Sequence, residues 1–268
     1  MKYHYTREDV YNALQEIGLK KGDTVFSHSN IGYLGIPQGG RDIDNAFNTI
    51  LNAFFDVIGS EGTLIVPTYT YSFPQNKIFN PDETPSDCGI FTEKLRQHKD
   101  AYRSEDPCVS VAAIGKRAIE LTTDAPQNTY GPNSFFHRLH KAQAIICNIN
   151  FDAGSNFVHY VERVLHVPYR FDKTFTGILQ KNGKIIKTSS TLWVRYLVPG
   201  THPQFEKYNK LAVEKNLFKI SKVGRGMFGA ISTNDSFDLV KETLDYRPWF
   251  LTDAEELGII PEINPCLI

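Results

Sequence analysis

The sequence of 268 residues has no long apolar run and no excess of charge of either sign. None of its apolar stretches approaches the roughly 18 residues that a membrane-spanning helix needs. Its 29 basic and 30 acidic residues leave a net charge of −1, which gives no electrostatic reason to expect nucleic acid or an anionic membrane as a partner. The composition therefore predicts neither a nucleic-acid-binding protein nor a membrane protein.

Clustered cysteines are also lacking. The cysteines, Cys88, Cys108, Cys147 and Cys266, are widely spaced and form no C-x-x-C pair, so neither a zinc knuckle nor a disulfide framework is indicated. The amino-terminal segment has no apolar run after its charges, which argues against a signal peptide. Internal repeats and low-complexity segments are not evident. We expect a cytoplasmic protein with reduced thiols, in which residues 1–268 form a single domain.

The chain does contain a repeated alternation of short apolar segments with segments of helical periodicity. Buried strands are predicted at 25–26, 62–68, 109–115 and 144–149, and helices after Thr6 and over 41–58, 89–98 and 157–166. Residues 69–88 are aromatic, rich in proline and without periodicity, which indicates a long ordered excursion. The pattern is typical of an α/β fold with a mostly parallel sheet and helices on both faces.

The carboxyl-terminal third shows a different pattern. Residues 174–180 and 185–198 are rich in β-branched and aromatic side chains and flank a turn at Asn182-Gly183. Asn-Gly between two such segments predicts a β-hairpin. We expect this hairpin as an antiparallel addition to the sheet.

The strand and helix between 144 and 166 carry the most chemically suggestive residues. His159, Glu162, Arg163 and His166 fall within one arc of the predicted helix at about 100° per residue, and apolar residues fill the opposite arc at 157, 158, 161, 164 and 165. Periodicity alone favours a solvated polar face. Position favours a functional site, because a helix that follows a buried strand starts at the carboxyl edge of the sheet, where open α/β folds bind their ligands.

A second candidate is the loop after the first strand. It runs through Ser27-His28-Ser29-Asn30 into a glycine-rich stretch, 31–40. Small residues let backbone N–H groups approach an anion at the start of a helix. The loop lacks both the G-x-G-x-x-G and the G-K-[ST] spacing, so by itself it is more typical of an ordinary long connection.

Taken together, several stretches resemble the aminoglycoside 3-N-acetyltransferase family, whose members transfer an acetyl group from acetyl-CoA to an amine of a deoxystreptamine-type antibiotic. They occur in the family's order and cover roughly residues 1 to 170. No piece is specific alone, but the ordered set is. The stretches are 22–29 with the loop after it, 62–70, Phe79-Asn-Pro81, Arg103-Ser104-x-x-Pro107-x-x-Ser110, Tyr130-Gly131-x-x-Ser134 and His159-x-x-Glu162.

The resemblance implies roles for individual residues. Coenzyme A would be held by His28, Ser29, Asn30, Ile31 and Gly32, with Thr68, Ser104 and Ser110 close to its pantetheine arm. His159 would be the catalytic histidine and Glu162 its accompanying acid, while Tyr69, Asp152 and Arg163 are the candidates for binding the acceptor. The implied co-substrate is acetyl-CoA, and no metal is expected.

Elementary chemistry agrees with this assignment. An alkylammonium group must lose a proton before its nitrogen can attack a thioester, and histidine titrates close enough to neutrality to accept one. Glu162, one helical turn away, could orient the imidazole. Backbone N–H groups near Gly32 could stabilise the oxyanion that the attack creates.

The chain departs from the family pattern in two respects. The family usually has Gly-x-Gly-His-Asp-Ser-Asn-Thr before the histidine, whereas 147–157 lacks those glycines and is one residue longer. Arg163, Arg170 and Lys173 crowd the region, although a site for polycationic aminoglycosides should gather carboxylates. These departures suggest a different acceptor, such as an amino sugar carried on a nucleotide.

Other classes of protein stay open from the residues alone. Ser27-His28-Ser29 is not part of a G-x-S-x-G elbow, and H-x-x-E lacks the H-E-x-x-H spacing of zinc hydrolases. A hydrolase that uses His159 and Glu162 is one alternative, and a non-catalytic carbohydrate- or nucleotide-binding relative is another. The expected ligands are a small amine and coenzyme A, and a homodimer is one candidate assembly.

Overall fold

The computed structural model describes residues 2–263, so Cys266 lies outside the described part. The first half contains α1 (Arg7–Glu16), β1 (Thr24–Phe26), a 3-10 helix (Ile31–Leu34), α2 (Ile43–Ile58), β2 (Thr63–Pro67), α3 (Ile90–Arg96), β3 (Tyr102–Arg103), β4 (Val111–Gly115) and α4 (Ala118–Thr122). The second half contains α5 (Phe135–Lys141), β5 (Ile145–Ile149), α6 (Phe157–Val164), β6 (Arg170–Lys181), β7 (Lys184–Arg195), α7 (Phe205–Glu214), β8 (Lys219–Val223), β9 (Gly226–Ser232), α8 (Thr233–Tyr246) and α9 (Ala254–Leu257).

Seven of these strands form one mixed sheet in the order β3-β4-β2-β1-β5-β9-β8. The central strand β1 is parallel to both β2 and β5. The strands outside them pair antiparallel. The predicted α/β class is confirmed, and its parallel part is the centre of the sheet. The connection from β1 to β2 passes through α2, as a crossover between parallel neighbours requires.

The sheet is covered on both faces, as predicted. Alternate residues of a strand point to opposite faces, and Phe26 and Ile65 belong to one buried apolar cluster while Val25 and Leu64 belong to the other. The first cluster includes residues of α5, α6 and α8, and the second includes residues of α1, α2 and α3. Each face of the central strands is therefore sealed by its own set of helices.

The predicted hairpin is confirmed as β6 and β7, but it forms a separate two-stranded sheet. Asn182 and Gly183 at its tip have φ values of 50° and 70°, as a two-residue type I′ turn requires. The expectation that it joins the main sheet was wrong. The outer edge of β6 pairs with the 69–88 excursion instead: Phe79 N–H donates to the Ile178 carbonyl at 2.9 Å, and the Phe79 carbonyl accepts from Gln180 N–H at 2.8 Å.

Three further expectations concern disulfides, membranes and metals. Cys88, Cys108 and Cys147 form no disulfide within residues 2–263. Over the same residues, no helix combines the length and the apolar character that a membrane span needs. The described chain also holds no group of three or more potential metal-ligating side chains.

Candidate active site

The carboxyl ends of the central parallel strands meet at one edge of the sheet. The segment that leaves β1 continues alongside β5, where Asn30 N–H donates to the Ile149 carbonyl at 2.9 Å. Thr68 follows β2 directly, and Ser110 precedes the antiparallel β4, so both lie at the same edge. The residues to which the resemblance assigns coenzyme A are therefore brought together at the edge from which the chain continues into α6.

The polar side of α6 is largely shielded from solvent, and only His166, which lies beyond the end of the helix at Val164, is exposed. Glu162 is only 1% exposed and the His159 side chain 18%, whereas Phe157 and Val161 on the opposite side are fully buried in the core. Val164, which the periodicity placed on the apolar arc, is 44% exposed at the last residue of the helix. Tyr169 and residues of β6 and β7 cover the polar side, so the helix is buried on two sides.

Glu162 is the centre of a buried polar network. Its Oε2 lies 2.6 Å from His159 Nδ1 and 2.8 Å from Arg170 Nε, and its Oε1 accepts from the Tyr169 hydroxyl at 3.0 Å. Burial alone would raise the pKa of Glu162, but the charge of Arg170 and the contacts with His159 and Tyr169 lower it below its usual value. Glu162 is therefore ionised at neutral pH and can only accept hydrogen bonds.

This network fixes the protonation of His159. An ionised Glu162 accepts from Nδ1–H, so the neutral imidazole carries its lone pair on Nε2. Burial and the nearby charge of Arg170 lower the pKa of His159, against the opposing effect of Glu162. Its ring is flanked by Tyr130, with the centroids 6.0 Å apart, and by Phe205 at 5.4 Å. The site therefore presents a neutral, oriented imidazole between two aromatic rings.

Two of the three cations that crowd this region are paired with carboxylates. Arg163 forms two hydrogen bonds to Asp172, at 3.0 and 2.7 Å, and Arg170 is held by Glu162. Lys173 is exposed and lies over the Phe175 ring at 5.7 Å. The count of positive charges therefore no longer argues for an acidic, nucleotide-linked acceptor.

The sequence profile of aminoglycoside 3-N-acetyltransferases matches residues 26–245. The chain belongs to this family. One relative is the aminoglycoside N(3)-acetyltransferase IX of Micromonospora chalcea, 27% identical over 201 residues that make up 67% of this chain and 69% of the relative. Another is the SPbeta prophage-derived aminoglycoside N(3')-acetyltransferase-like protein YokD of Bacillus subtilis, 22% identical over 274 residues, with 92% and 93% of the two chains covered.

Solved structures show the same fold. The complex of AAC-IIIb with CoASH has a TM-score of 0.79 at 18% identity and covers 90% of this chain and 97% of that one. A complex of AAC(3)-IVa with a gentamicin has a TM-score of 0.79 at 20% identity, covering 97% and 96%. The predicted enzyme class, an N-acetyltransferase with acetyl-CoA as its co-substrate, is confirmed by membership of the family.

Three residues of this acetyltransferase that are predicted to lie near the pantetheine arm of coenzyme A have side chains that bond within the protein. Thr68 and Ser110 are 0% exposed, their hydroxyls lie 3.0 Å apart, and Arg103 Nε donates to both, at 3.2 and 3.3 Å. Ser104 Oγ accepts from Val111 N–H at 3.0 Å. These side chains brace the edge of the sheet, and their contact with coenzyme A stays a prediction.

Other predicted residues have unmet hydrogen-bonding capacity. His28 Nε2, Ser29 Oγ and the Tyr69 hydroxyl are buried and have no partner among the described residues. Buried polar atoms of this kind cost free energy unless a ligand or water satisfies them. Asn30 and Gly32 are exposed in the same loop, and Ile31 is 7% exposed. The assignment of this loop to coenzyme A, and of Tyr69 to the acceptor, stays a prediction.

The altered turn before His159 keeps a regular backbone. Asn150 has a φ of 55° and stands two residues before Asp152, in the turn that lacks the family's glycines. Asparagine is among the residues that tolerate this left-handed conformation best. Asp152 is exposed, and its Oδ1 accepts from Gly154 N–H at 2.8 Å, so it shapes the turn. Its contact with the acceptor stays a prediction.

The sequence did not reveal two members of the site. Tyr169 reaches Glu162 from just before β6, and no helical periodicity connects the two residues. Asn148 lies in β5 and is 0% exposed, and its side-chain amide is hydrogen-bonded to the Asp152 carbonyl and to the His28 ring. A polar residue within a predicted buried strand is itself a signal, because buried polar groups need partners.

Proposed function

We propose that the protein transfers the acetyl group of acetyl-CoA to an amine of an aminoglycoside-type amino sugar, with His159 as the general base. The observation that carries this proposal is the buried pair of His159 and Glu162, 2.6 Å apart. Glu162 holds the imidazole in one orientation, and burial keeps it neutral. A neutral imidazole with its lone pair on Nε2 is what removal of a proton from an amine requires.

The reaction then proceeds by direct attack. The amine nitrogen forms a bond to the thioester carbonyl carbon while Nε2 of His159 takes the proton that the nitrogen loses. The tetrahedral intermediate collapses, the C–S bond breaks, and coenzyme A leaves as a thiolate. The imidazolium of His159, stabilised by Glu162, returns the proton to the sulfur. We assign the stabilisation of the oxyanion to backbone N–H groups of the loop at Gly32.

The acceptor is tested with a panel of amines, measured by thiol release from acetyl-CoA. Neighbours of known structure bind a gentamicin and sisomicin, and we expect amine-dependent release with such compounds. Faster release with a nucleotide-linked amino sugar would contradict the proposed acceptor and support the alternative. Release without any amine would indicate a hydrolase, and no release with any amine would indicate a binding protein.

The pH dependence of the rate tests the proposed base. Because the pKa of His159 is below its usual 6.5, the base is in its active neutral form above that pH, and its contribution is lost only as the pH falls below it. The rate can fall at low pH because the enzyme or the substrate amine is protonated. Comparing two acceptors whose amines have different pKa values separates these two causes. We expect a common acid limb below pH 6.5. If the rate with both acceptors already falls at a pH above 7, the base is not a histidine whose pKa is lowered by burial.

A further inference from the structure

Asn148 makes four polar contacts that fix the orientation of its side-chain amide. Its Nδ2 donates to the carbonyl oxygens of Asp152 at 2.6 Å and Gly154 at 3.0 Å. Only the NH₂ group of an amide can satisfy two carbonyl oxygens. The Oδ1 atom must therefore be the one that faces His28, 3.4 Å from its backbone N–H and 3.1 Å from its ring Nδ1.

This orientation determines the tautomer of His28. Amide Oδ1 can only accept a hydrogen bond, so Nδ1 of His28 carries the proton and Nε2 carries the lone pair. Nε2 is buried and has no partner within residues 2–263, and the Phe26 ring lies edge-on with its centroid 4.7 Å from that of His28. The result is an unsatisfied hydrogen-bond acceptor at the carboxyl end of the central strand.

The surroundings of His28 favour a neutral donor. Burial lowers the pKa of His28 to about 4, against the opposing effect of the hydrogen bond that its ring donates to Asn148, and no charged side chain contributes to the shift. An ammonium group at this position would lose its hydration without gaining a counter-charge. An amide N–H carries no such cost, and the pantetheine arm of coenzyme A contains amide N–H groups.

We propose that Asn148 is a positioning residue that locks His28 in its Nδ1–H tautomer, so that His28 meets bound acetyl-CoA, the contact the resemblance already implies, with Nε2 as the acceptor for an amide N–H. This inference rests on acetyl-CoA being the co-substrate. Asn148 stands four residues before Asp152, at the start of the turn in which this chain departs from the family pattern. The same amide also ties His28 to the turn that leads into α6.

The tautomer can be measured directly in the intact protein labelled with ¹⁵N-histidine. Long-range ¹H–¹⁵N spectra distinguish a protonated ring nitrogen from one that carries a lone pair. For His28 we expect a protonated Nδ1 and an unprotonated Nε2, and we expect the Nε2 signal to shift upfield when coenzyme A alone is added. An Nε2–H tautomer in the free protein would overturn the lock. A response to sisomicin but not to coenzyme A would overturn the assignment of the donor.

Asn148→Ala tests the role of the amide in binding. We expect mixed tautomers of His28 and a KM for acetyl-CoA raised about tenfold, the loss of one buried hydrogen bond, with kcat changed less than about threefold. The matched control is Asn209→Ala, because Asn209 Oδ1 accepts from Ala153 N–H at 3.0 Å and so supports the same turn without touching His28. A wild-type tautomer and KM in Asn148→Ala would overturn the inference.

These measurements are independent of the proposed reaction. The tautomer and the response to coenzyme A require no turnover, so they stand if the acceptor panel fails. If the tautomer is wrong but amine-dependent thiol release is normal, the inference fails and the proposed function does not. If Asn148→Ala does not fold, the spectra of the unaltered protein still decide both parts of the inference.

Discussion

Replacing His159 with alanine is expected to reduce amine-dependent thiol release about 10³-fold, within the range that general base catalysis contributes. The substitution removes the Nε2 lone pair that takes the proton from the amine. Glu162 keeps its ion pair with Arg170 and its bond from Tyr169, so the carboxylate stays satisfied and the fold should persist. The measurement is kcat/KM for the amine at saturating acetyl-CoA, beside calorimetric titration with coenzyme A.

The two measurements separate catalysis from binding. We expect the affinity for coenzyme A to stay within about threefold of the wild-type value, since the predicted coenzyme loop at 28–32 does not involve α6. The control is His202→Ala, an exposed histidine whose removal should leave both quantities unchanged. A loss of less than tenfold in His159→Ala would show that the amine is deprotonated by another group or by solvent.

The space left by the imidazole offers a second test of the same residue. It lies between the rings of Tyr130 and Phe205, beside a carboxylate that is already ionised. Free imidazole added to His159→Ala should therefore restore part of the rate in proportion to its neutral concentration. Glutamine at 159 fills the space but cannot accept the proton, so His159→Gln should be as inactive as His159→Ala and should not respond to imidazole.

The helix α6 shows how far the sequence alone can go. Periodicity placed His159 and Glu162 on one face, and the structure confirms that they are neighbours. It could not show that this face is buried, because the covering residues come from outside the helix. Tyr169 and Arg170 reach Glu162 only through the path of β6. Local spacing carries no information about such a contact.

The sheet shows the same division between local and distant information. The strands and the Asn182-Gly183 turn follow from local patterns, and these predictions are confirmed. The contacts that hold the hairpin come from distant residues: Phe79 pairs with the outer edge of β6, and Gln127 and Thr129 pair with the outer edge of β7 at Thr191. The charge of Arg163 was visible in the sequence, but its pairing with Asp172 was not. Charges counted along a chain therefore do not give the charge of a site.

Replacing Glu162 with glutamine is expected to lower the free energy of unfolding by about 3–5 kcal/mol, because it leaves a buried guanidinium without its counter-charge. Arg170 is 9% exposed, and its other contact is to the Trp193 carbonyl at 3.2 Å. Amine-dependent release should fall as well, since the imidazole of His159 loses the anion that orients it. Urea unfolding at pH 7.5 measures the first effect and thiol release the second.

A matched surface pair provides the control for Glu162→Gln. Glu120 pairs with the guanidinium of Arg117 at 2.6 Å, but their side chains are 55% and 32% exposed. Glu120→Gln should therefore cost less than about 1 kcal/mol. An equal cost in the two variants would show that burial does not strengthen the pair at Glu162.

The effect of Glu162→Gln should also depend on pH. The pKa of Glu162 in the folded protein is below its usual 4.5, so its contribution to stability is fully present above that pH and is lost as the pH falls through the lowered value. The difference between wild type and Glu162→Gln should shrink accordingly in acid. Adding Arg170→Met removes the unpaired cation, so the double variant should regain stability without regaining activity. Recovery of the rate in that double variant would show that His159 needs no carboxylate partner, and that Glu162 is present only to neutralise Arg170.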